Sequence, residues 1–250
     1  MCRLLGVVAR ESLPLGELLA GELDPFLALA CEHADGWGVA SVTPERTLST
    51  VKEPARADES PEFRRVVREL TTDSALVHIR MASPRLPVVL GNTHPFGDER
   101  AAFAHNGDFT PVDCLDVMIG EEALATAEGD TDSERFSLGV RLRMDAGIEP
   151  HKAIMSTAAD IRSLATSSAS LNCMLLTPDA LYAYTAHDPH SEVMTRRGPG
   201  FFSLNYRVAT DAVVVASTGW PQDPQVWTAL PEGHVLEVRR DSLSAVVHAG

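Results

Sequence analysis

The position that carries the most chemistry is the cysteine that follows the first methionine. A small residue in second place permits removal of Met1, which would leave Cys2 bearing both a thiol and a free α-amine. Unperturbed, such an amine titrates at about 7.7 to 8.0 and a thiol at about 8.5. A neutral amine can therefore take the thiol proton near neutral pH, directly or through water. One residue would then supply both nucleophile and base. A Met-Cys start also arises by chance, so the pair gains weight only from other residues.

Three further segments supply it. In the segment AHNG, Ala104 to Gly107, the Asn106 side-chain amide and the Gly107 backbone N–H follow an expected strand and can point at one spot. Two such donors suit the negative oxygen that develops when a nucleophile attacks an amide carbonyl. Alone, the same residues read as an ordinary Asn-Gly turn. Arg80, in HIRMASP, ends an expected strand, where its guanidinium can grip a carboxylate with two hydrogen bonds. Asp132, in GDTDSE, opens an expected helix and can pair with an ammonium. The plainer alternatives are a surface arginine and, for Asp132 with Arg135 three residues on, a helix cap.

Sheets and helices must bring these residues together. Residues 3–9 (RLLGVVA) predict a buried strand that fixes Cys2 at a sheet edge. Residues 75–82, 101–105 and the segment from Gly36 (GWGVASV) predict further strands leading into polar loops. Ser60 as N-cap and Pro61 at the first helical position predict a helix over 61–70, with Phe63, Val66, Val67 and Leu70 on one face. Residues 132–144 predict a second helix, and Ile154, Ala158, Ile161 and Ala165 mark the apolar face of a third. From Leu171 the pattern returns to strands: LNCMLL, ALYAYTA, EVMTRR, AVVVAS, HVLEVRR and SAVVHA. No repeat, low-complexity tract or linker interrupts the chain. Strands, then helices, then strands predict an α+β fold of two stacked, mainly antiparallel sheets with helices on their outer faces, in one domain over 2–250.

Five segments in this order resemble the class II glutamine amidotransferase domain: MCRLLG, HADGWGVA from His33, HIRMASP with NTHPF from Asn92, AHNGDF, and GDTDSE. The later LNCMLLTPDALYAY and VVVAST also look like strands of that family. The resemblance implies the N-terminal-nucleophile hydrolase fold, a four-layer αββα sandwich. It implies Cys2 as nucleophile and its α-amine as base, with Asn106 and the Gly107 N–H holding the oxyanion. Arg80 and Asp132 would hold the glutamyl head group, with further substrate contacts at Met81, Ser83 and His105. Met81 stands where relatives often have Trp, and Thr218 where many have Glu.

The implied reaction is hydrolysis of a γ-glutamyl amide through a thioester on Cys2, with no cofactor. The chain ends after the last strand, which favours a free-standing γ-glutamyl amidohydrolase similar to the one of ergothioneine biosynthesis. The alternatives are a glutaminase subunit feeding a separate synthase partner and an inactive binding module. Conjugated bile acid and penicillin hydrolases share an N-terminal Cys but have no need of the Arg80 and Asp132 pair. His33, His78, His94 and His105 raise a rival metal site, but their spacing lacks the pattern of a ligand set, and the expectation is no metal.

The totals narrow the classes further. A net charge of −14 over 250 residues argues against nucleic acid as a partner. There is no apolar run long enough to span a membrane and no secretory leader. Four scattered cysteines suggest neither a disulfide framework nor a zinc knuckle, so a cytoplasmic enzyme acting on a small molecule is expected.

Overall fold

A computed structural model describes residues 1–83 and 86–250. Pro84, the last residue of the HIRMASP motif, lies outside them. One sheet of seven strands contains β1 (Arg3–Pro14), β2 (Trp37–Val42), β3 (Leu48–Glu53), β4 (Thr71–Ile79), β9 (Leu204–Val208), β10 (Ala212–Ser217) and β11 (Thr228–Ala229). Their spatial order is β11-β9-β10-β1-β4-β2-β3. The other, of six strands, contains β5 (Phe96–Gly97), β6 (Ala102–Thr110), β7 (Ser167–Leu176), β8 (Ala180–Tyr184), β12 (Val235–Arg239) and β13 (Ala245–His248), in the order β13-β12-β8-β7-β6-β5. The helices are α1 (Leu15–Leu18), α2 (Leu23–Leu27), α3 (Pro61–Glu69), α4 (Asp116–Ile119), α5 (Glu121–Leu124), α6 (Asp132–Asp145), α7 (Pro150–Leu164) and α8 (Glu192–Arg197).

Strand alternation sorts the side chains into three cores. Leu5, Val7 and Ala9 of β1 face α1, α2 and α3 and pack with Leu15, Phe26 and Phe63. Leu4 and Val8 face the other way and meet Ala104, Met174 and Leu181 of the second sheet. On the far side of that sheet, Phe103, Phe109 and Leu171 pack under Phe136 of α6 and Ile154 and Ile161 of α7. The αββα sandwich is therefore present, with every paired strand antiparallel to its neighbours.

Local signals account for much of this. Ser60 caps α3 by accepting from the Phe63 N–H at 3.0 Å, and its hydroxyl in turn donates to Glu53. The Trp37 indole donates to the same carboxylate at 3.1 Å, and its ring meets Phe63 edge-on, 5.0 Å between centroids. Helix, strand and core are thus tied at one point.

Four expectations need correction. EVMTRR is a helix, α8: the Ser191 hydroxyl accepts from Met194 N–H, and Gly198 at φ 87 ends it. That cap outweighs the β-branched Val193 and Thr195. The strand expected over 75–82 stops at Ile79, because the chain leaves the ladder when the Ala82 N–H turns to the Asp35 carboxylate at 2.8 Å. AHNG is not a turn after a strand but the middle of β6. Thr131, not Asp132, caps α6, accepting from the Glu134 N–H at 3.0 Å, while Arg135 pairs with Asp116.

Candidate functional site

The chain start is pinned on both sides. Arg3 pairs with Ile79, so the antiparallel register sets Cys2 opposite Arg80. On the other side, the Leu4 N–H donates to the buried Ser217 hydroxyl at 3.0 Å. Cys2 lies two residues before Leu4 and so projects into the gap between the sheets, where its thiol contacts the Met81 carbonyl at 3.7 Å. Burial pushes the thiol pKa up, an effect that the chain-start ammonium and Arg80 oppose and Asp132 reinforces. Burial likewise pulls the chain-start amine of Met1 below its usual range.

Across the gap, Asn106 lies two residues after Ala104 and shares its inward face. Its side chain is wholly buried, and neither amide atom has a hydrogen-bond partner among the described residues. Such orphaned polar groups are rare and costly, and they mark a place where something else is to be bound. Gly107 follows on the outward face, where an added Cβ would come within 1.7 Å of the Ser170 carbonyl oxygen. Close strand approach, rather than turn geometry, requires glycine there.

The edge of β6 completes the arrangement. Strand β5 pairs only with Ala102 and Phe103, leaving the rest of that edge without a strand partner. The Phe109 N–H points from this edge to the Asp132 carboxylate at 3.0 Å. By the two-residue alternation of backbone groups, the Gly107 N–H points from the same edge. Asp132 is 6% exposed, and burial raises its pKa.

Arg80 is 2% exposed. Both its terminal nitrogens donate to the Pro87 carbonyl, at 3.3 and 3.4 Å. Asn92 donates to the same oxygen at 3.3 Å and accepts from the Asp130 N–H at 2.9 Å, joining the Arg80 loop to the segment that leads into α6. Asp35 holds the other side: its N–H donates to the Arg80 carbonyl at 2.9 Å, and its carboxylate takes the Ala82 N–H. Asp35 and Asn92 were visible only as members of the HADGWG and NTHPF segments, with no chemistry of their own to single them out.

Cys2 and Asn106 thus face the inter-sheet gap, with Arg80 opposite Cys2 in the strand register and Asp132 at the open edge of β6 beyond Asn106. Met81 and Ser83 follow Arg80 on its rim, both half-buried. His105 is not brought in by its side chain. Its ring lies on the opposite face of β6, with Nε2 donating to the Ser170 carbonyl at 3.0 Å and Nδ1 2.9 Å from the Ser133 hydroxyl. A carbonyl can only accept, so Nε2 carries the proton. Burial lowers the pKa of this histidine, which keeps it neutral, so Ser133 donates to Nδ1. His105 thus fastens β6 to α6 beside Asp132.

Near the chain start, Arg3 stacks its guanidinium 4.2 Å from the Phe201 ring, and Arg197 lies 4.9 Å from the same ring. The Thr218 hydroxyl donates to the Gly200 carbonyl at 2.8 Å, holding this loop in place. That is the role of the threonine at the end of β10.

The four histidines weighed from the sequence do not form a ligand cluster among the described residues. The His78 and His94 rings lie against each other, 4.1 Å between centroids. His78 lies in β4 and His105 in β6. All four are buried, and burial depresses each pKa, that of His33 to about 3. The unfolded chain takes up protons near pH 6.5 that the native state refuses. The contribution of His33 to stability is therefore complete above about pH 6.5 and is lost as pH falls from there towards 3, at up to about 1.4 kcal/mol per pH unit, and the other three lose theirs in the same direction. Urea unfolding at pH 7.5, 6 and 5 should show this loss, and an unchanged midpoint would contradict it.

Comparison with known proteins agrees with this architecture. The family described as class II glutamine amidotransferases matches residues 1–249. No curated protein matches the sequence. Among solved structures, a glutamine aminotransferase class-II domain protein from Silicibacter pomeroyi aligns with TM-score 0.71 and 21% identity over 99% of each chain. A glutamine amidotransferase from Pseudomonas aeruginosa PA01, described as predicted, aligns with TM-score 0.56 and 19% identity over 98% of this chain and 99% of its own. The glutamine phosphoribosylpyrophosphate amidotransferase of B. subtilis aligns with TM-score 0.65 and 15% identity over 99% of this chain but only 49% of its own. These identities speak for the fold. The family match covers nearly every residue, including the site built around Cys2, and the chain belongs to the class II glutamine amidotransferase family.

Proposed function

We propose that the protein hydrolyses the γ-amide of glutamine or of a γ-glutamyl conjugate, using Cys2 freed of Met1. The observation that carries this reading is the buried, unpartnered Asn106 amide facing the same inter-sheet gap as the Cys2 thiol. The α-amine takes the thiol proton, and the thiolate attacks the γ-carbonyl carbon. The resulting oxyanion is held by the Asn106 amide N–H and the Gly107 N–H. Collapse breaks the C–N bond, and the leaving amine takes the proton from the α-ammonium. Water, deprotonated by the same amine, then attacks the γ-glutamyl thioester; glutamate leaves and the thiol is restored.

The glutamyl head group is assigned to Arg80 and Asp132. A substrate carboxylate can displace the neutral Pro87 carbonyl from Arg80, because charge-assisted bonds are stronger. Arg80→Lys loses the two-pronged grip. It should raise KM about 10- to 100-fold with a smaller change in kcat. Equal KM values in steady-state assays of the two proteins would show that Arg80 has been misassigned. Met81 and Ser83 are proposed as rim contacts, and His105 as a support for β6.

We further propose that residues 2–250 act as one domain, supported by the core shared between the sheets, in the cytoplasm, where the four free cysteines would stay reduced. No helix among the described residues is long and apolar enough to cross a membrane. A free-standing γ-glutamyl hydrolase is the preferred reading. A subunit feeding a synthase is the second, favoured by the exposed Val88, Val89 and Leu90 next to Pro87, which offer a partner an apolar surface at the site's rim. Assaying glutamate released from glutamine, γ-glutamyl amides and γ-glutamyl peptides by the isolated protein tests the preference. Turnover only with a co-purified synthase would support the second reading, and no turnover in either state would defeat both.

A further inference from the structure

The other concentration of metal-ligating groups lies on the opposite side of the second sheet. His151 is in the first turn of α7, Glu237 on β12 and His248 on β13. Each is half-buried, and one ligand atom from each lies within 4.8 Å of the other two. The His248 Nε2 is 2.8 Å from a Glu237 carboxylate oxygen, and the His151 and His248 rings stack 3.9 Å apart at 11°. Val235 pairs with His248 and Glu237 with Val246, so Glu237 and His248 are diagonal neighbours on one face of the β12–β13 hairpin. The only cation within ion-pair reach of Glu237 other than His248 is Arg239, at 3.9 Å, among the described residues.

We propose that His151, Glu237 and His248 bind a single zinc-like divalent cation that staples α7 to the β12–β13 hairpin. Two imidazoles and a carboxylate form three of the four ligands of a tetrahedral site, and the partial exposure of all three leaves the fourth position to water and gives the ion a way in. This ligand set suits Zn²⁺ and its first-row neighbours rather than Ca²⁺ or Mg²⁺, which take oxygen. An ion would replace the His248–Glu237 hydrogen bond, parting that pair to about 3.3 Å, and would require the rings to fan out of their stack so that the more distant ligand atoms close on the ion. Burial and the neighbouring His248 lower the pKa of His151, which favours the neutral ring that ligation needs. The three residues are distant in sequence, and helix and hairpin meet only on folding. Helix α7 also packs on β7 and β8, so the ion would brace the layer behind the strand that carries Asn106.

Cys2 with a free α-amine is itself a zinc ligand, so the test uses full-length Cys2→Ala protein dialysed against EDTA. Titration with Co²⁺ should give one saturating equivalent, with the visible bands of a four-coordinate nitrogen and oxygen site and no thiolate charge-transfer band. Zn²⁺ at a hundredfold excess over its Kd should raise Tm by about 5 to 10 °C. His151→Ala, His248→Ala and the shape-preserving Glu237→Gln should each weaken binding at least about 10-fold while circular dichroism stays unchanged. Undiminished binding in His151→Ala/His248→Ala, a thiolate band, or no saturable binding below about 1 mM, would overturn the site; a paired His248 and Glu237 beside a stacked His151 would then be its whole content.

Discussion

Cys2→Ala should reduce hydrolysis of glutamine by at least about 10⁴-fold while the protein still folds, because removing a nucleophile removes the covalent route altogether. Cys2 is 7% exposed, and among the described residues the one hydrogen bond of its thiol is the 3.7 Å contact to the Met81 carbonyl. Its loss should therefore cost only about 1 kcal/mol of stability. Steady-state assay beside a thermal melt separates the two effects. Intact-mass measurement adds a second reading of the same residue. The active protein should have lost Met1 and should gain one adduct from a glutamine-like diazo-ketone, and the alanine variant should gain none. Full turnover in Cys2→Ala would refute the nucleophile, and full turnover in protein that retains Met1 would refute the α-amine as base.

Asn106→Ala should lower kcat by about 10²- to 10³-fold with little change in KM, the usual cost of one lost oxyanion donor. The side chain is an unusual case because its deletion breaks no hydrogen bond among the described residues, where both amide atoms are buried and unpartnered. Removing it should leave stability level or slightly raised, since no partner is orphaned by the change. A structural asparagine would behave in the opposite way, losing stability and keeping kcat. Measuring kcat and urea midpoint on one preparation therefore distinguishes the two, and an unchanged kcat would remove Asn106 from the chemistry.

Much of the architecture could be read from the residues. The apolar runs of β1 and β10, the capped start of α3 and the spacing of Ile154, Ala158 and Ile161 are local signals, and the structure follows them closely. Where two local signals compete, the sequence was less legible. The segment EVMTRR offers β-branched residues but also a Ser cap and a closing glycine, and the caps prevail. In AHNG the Asn-Gly pair imitates a turn, yet Gly107 is required by the nearness of Ser170 on a strand sixty-odd residues away, which nothing in the segment reveals.

The sequence by itself determined which groups are available: a thiol in second position, an amide and a glycine in one strand, an arginine at the end of another, a carboxylate at a helix start. The tertiary structure decided which of them share a space. Alternation along β1 and β6 sends Cys2 and Asn106 into the gap and His105 out of it, and the short β5 leaves open the edge where Asp132 takes the Phe109 N–H. Such choices depend on pairing register and on how far a neighbouring strand extends. These are set by contacts distant along the chain, so no stretch of residues encodes them alone.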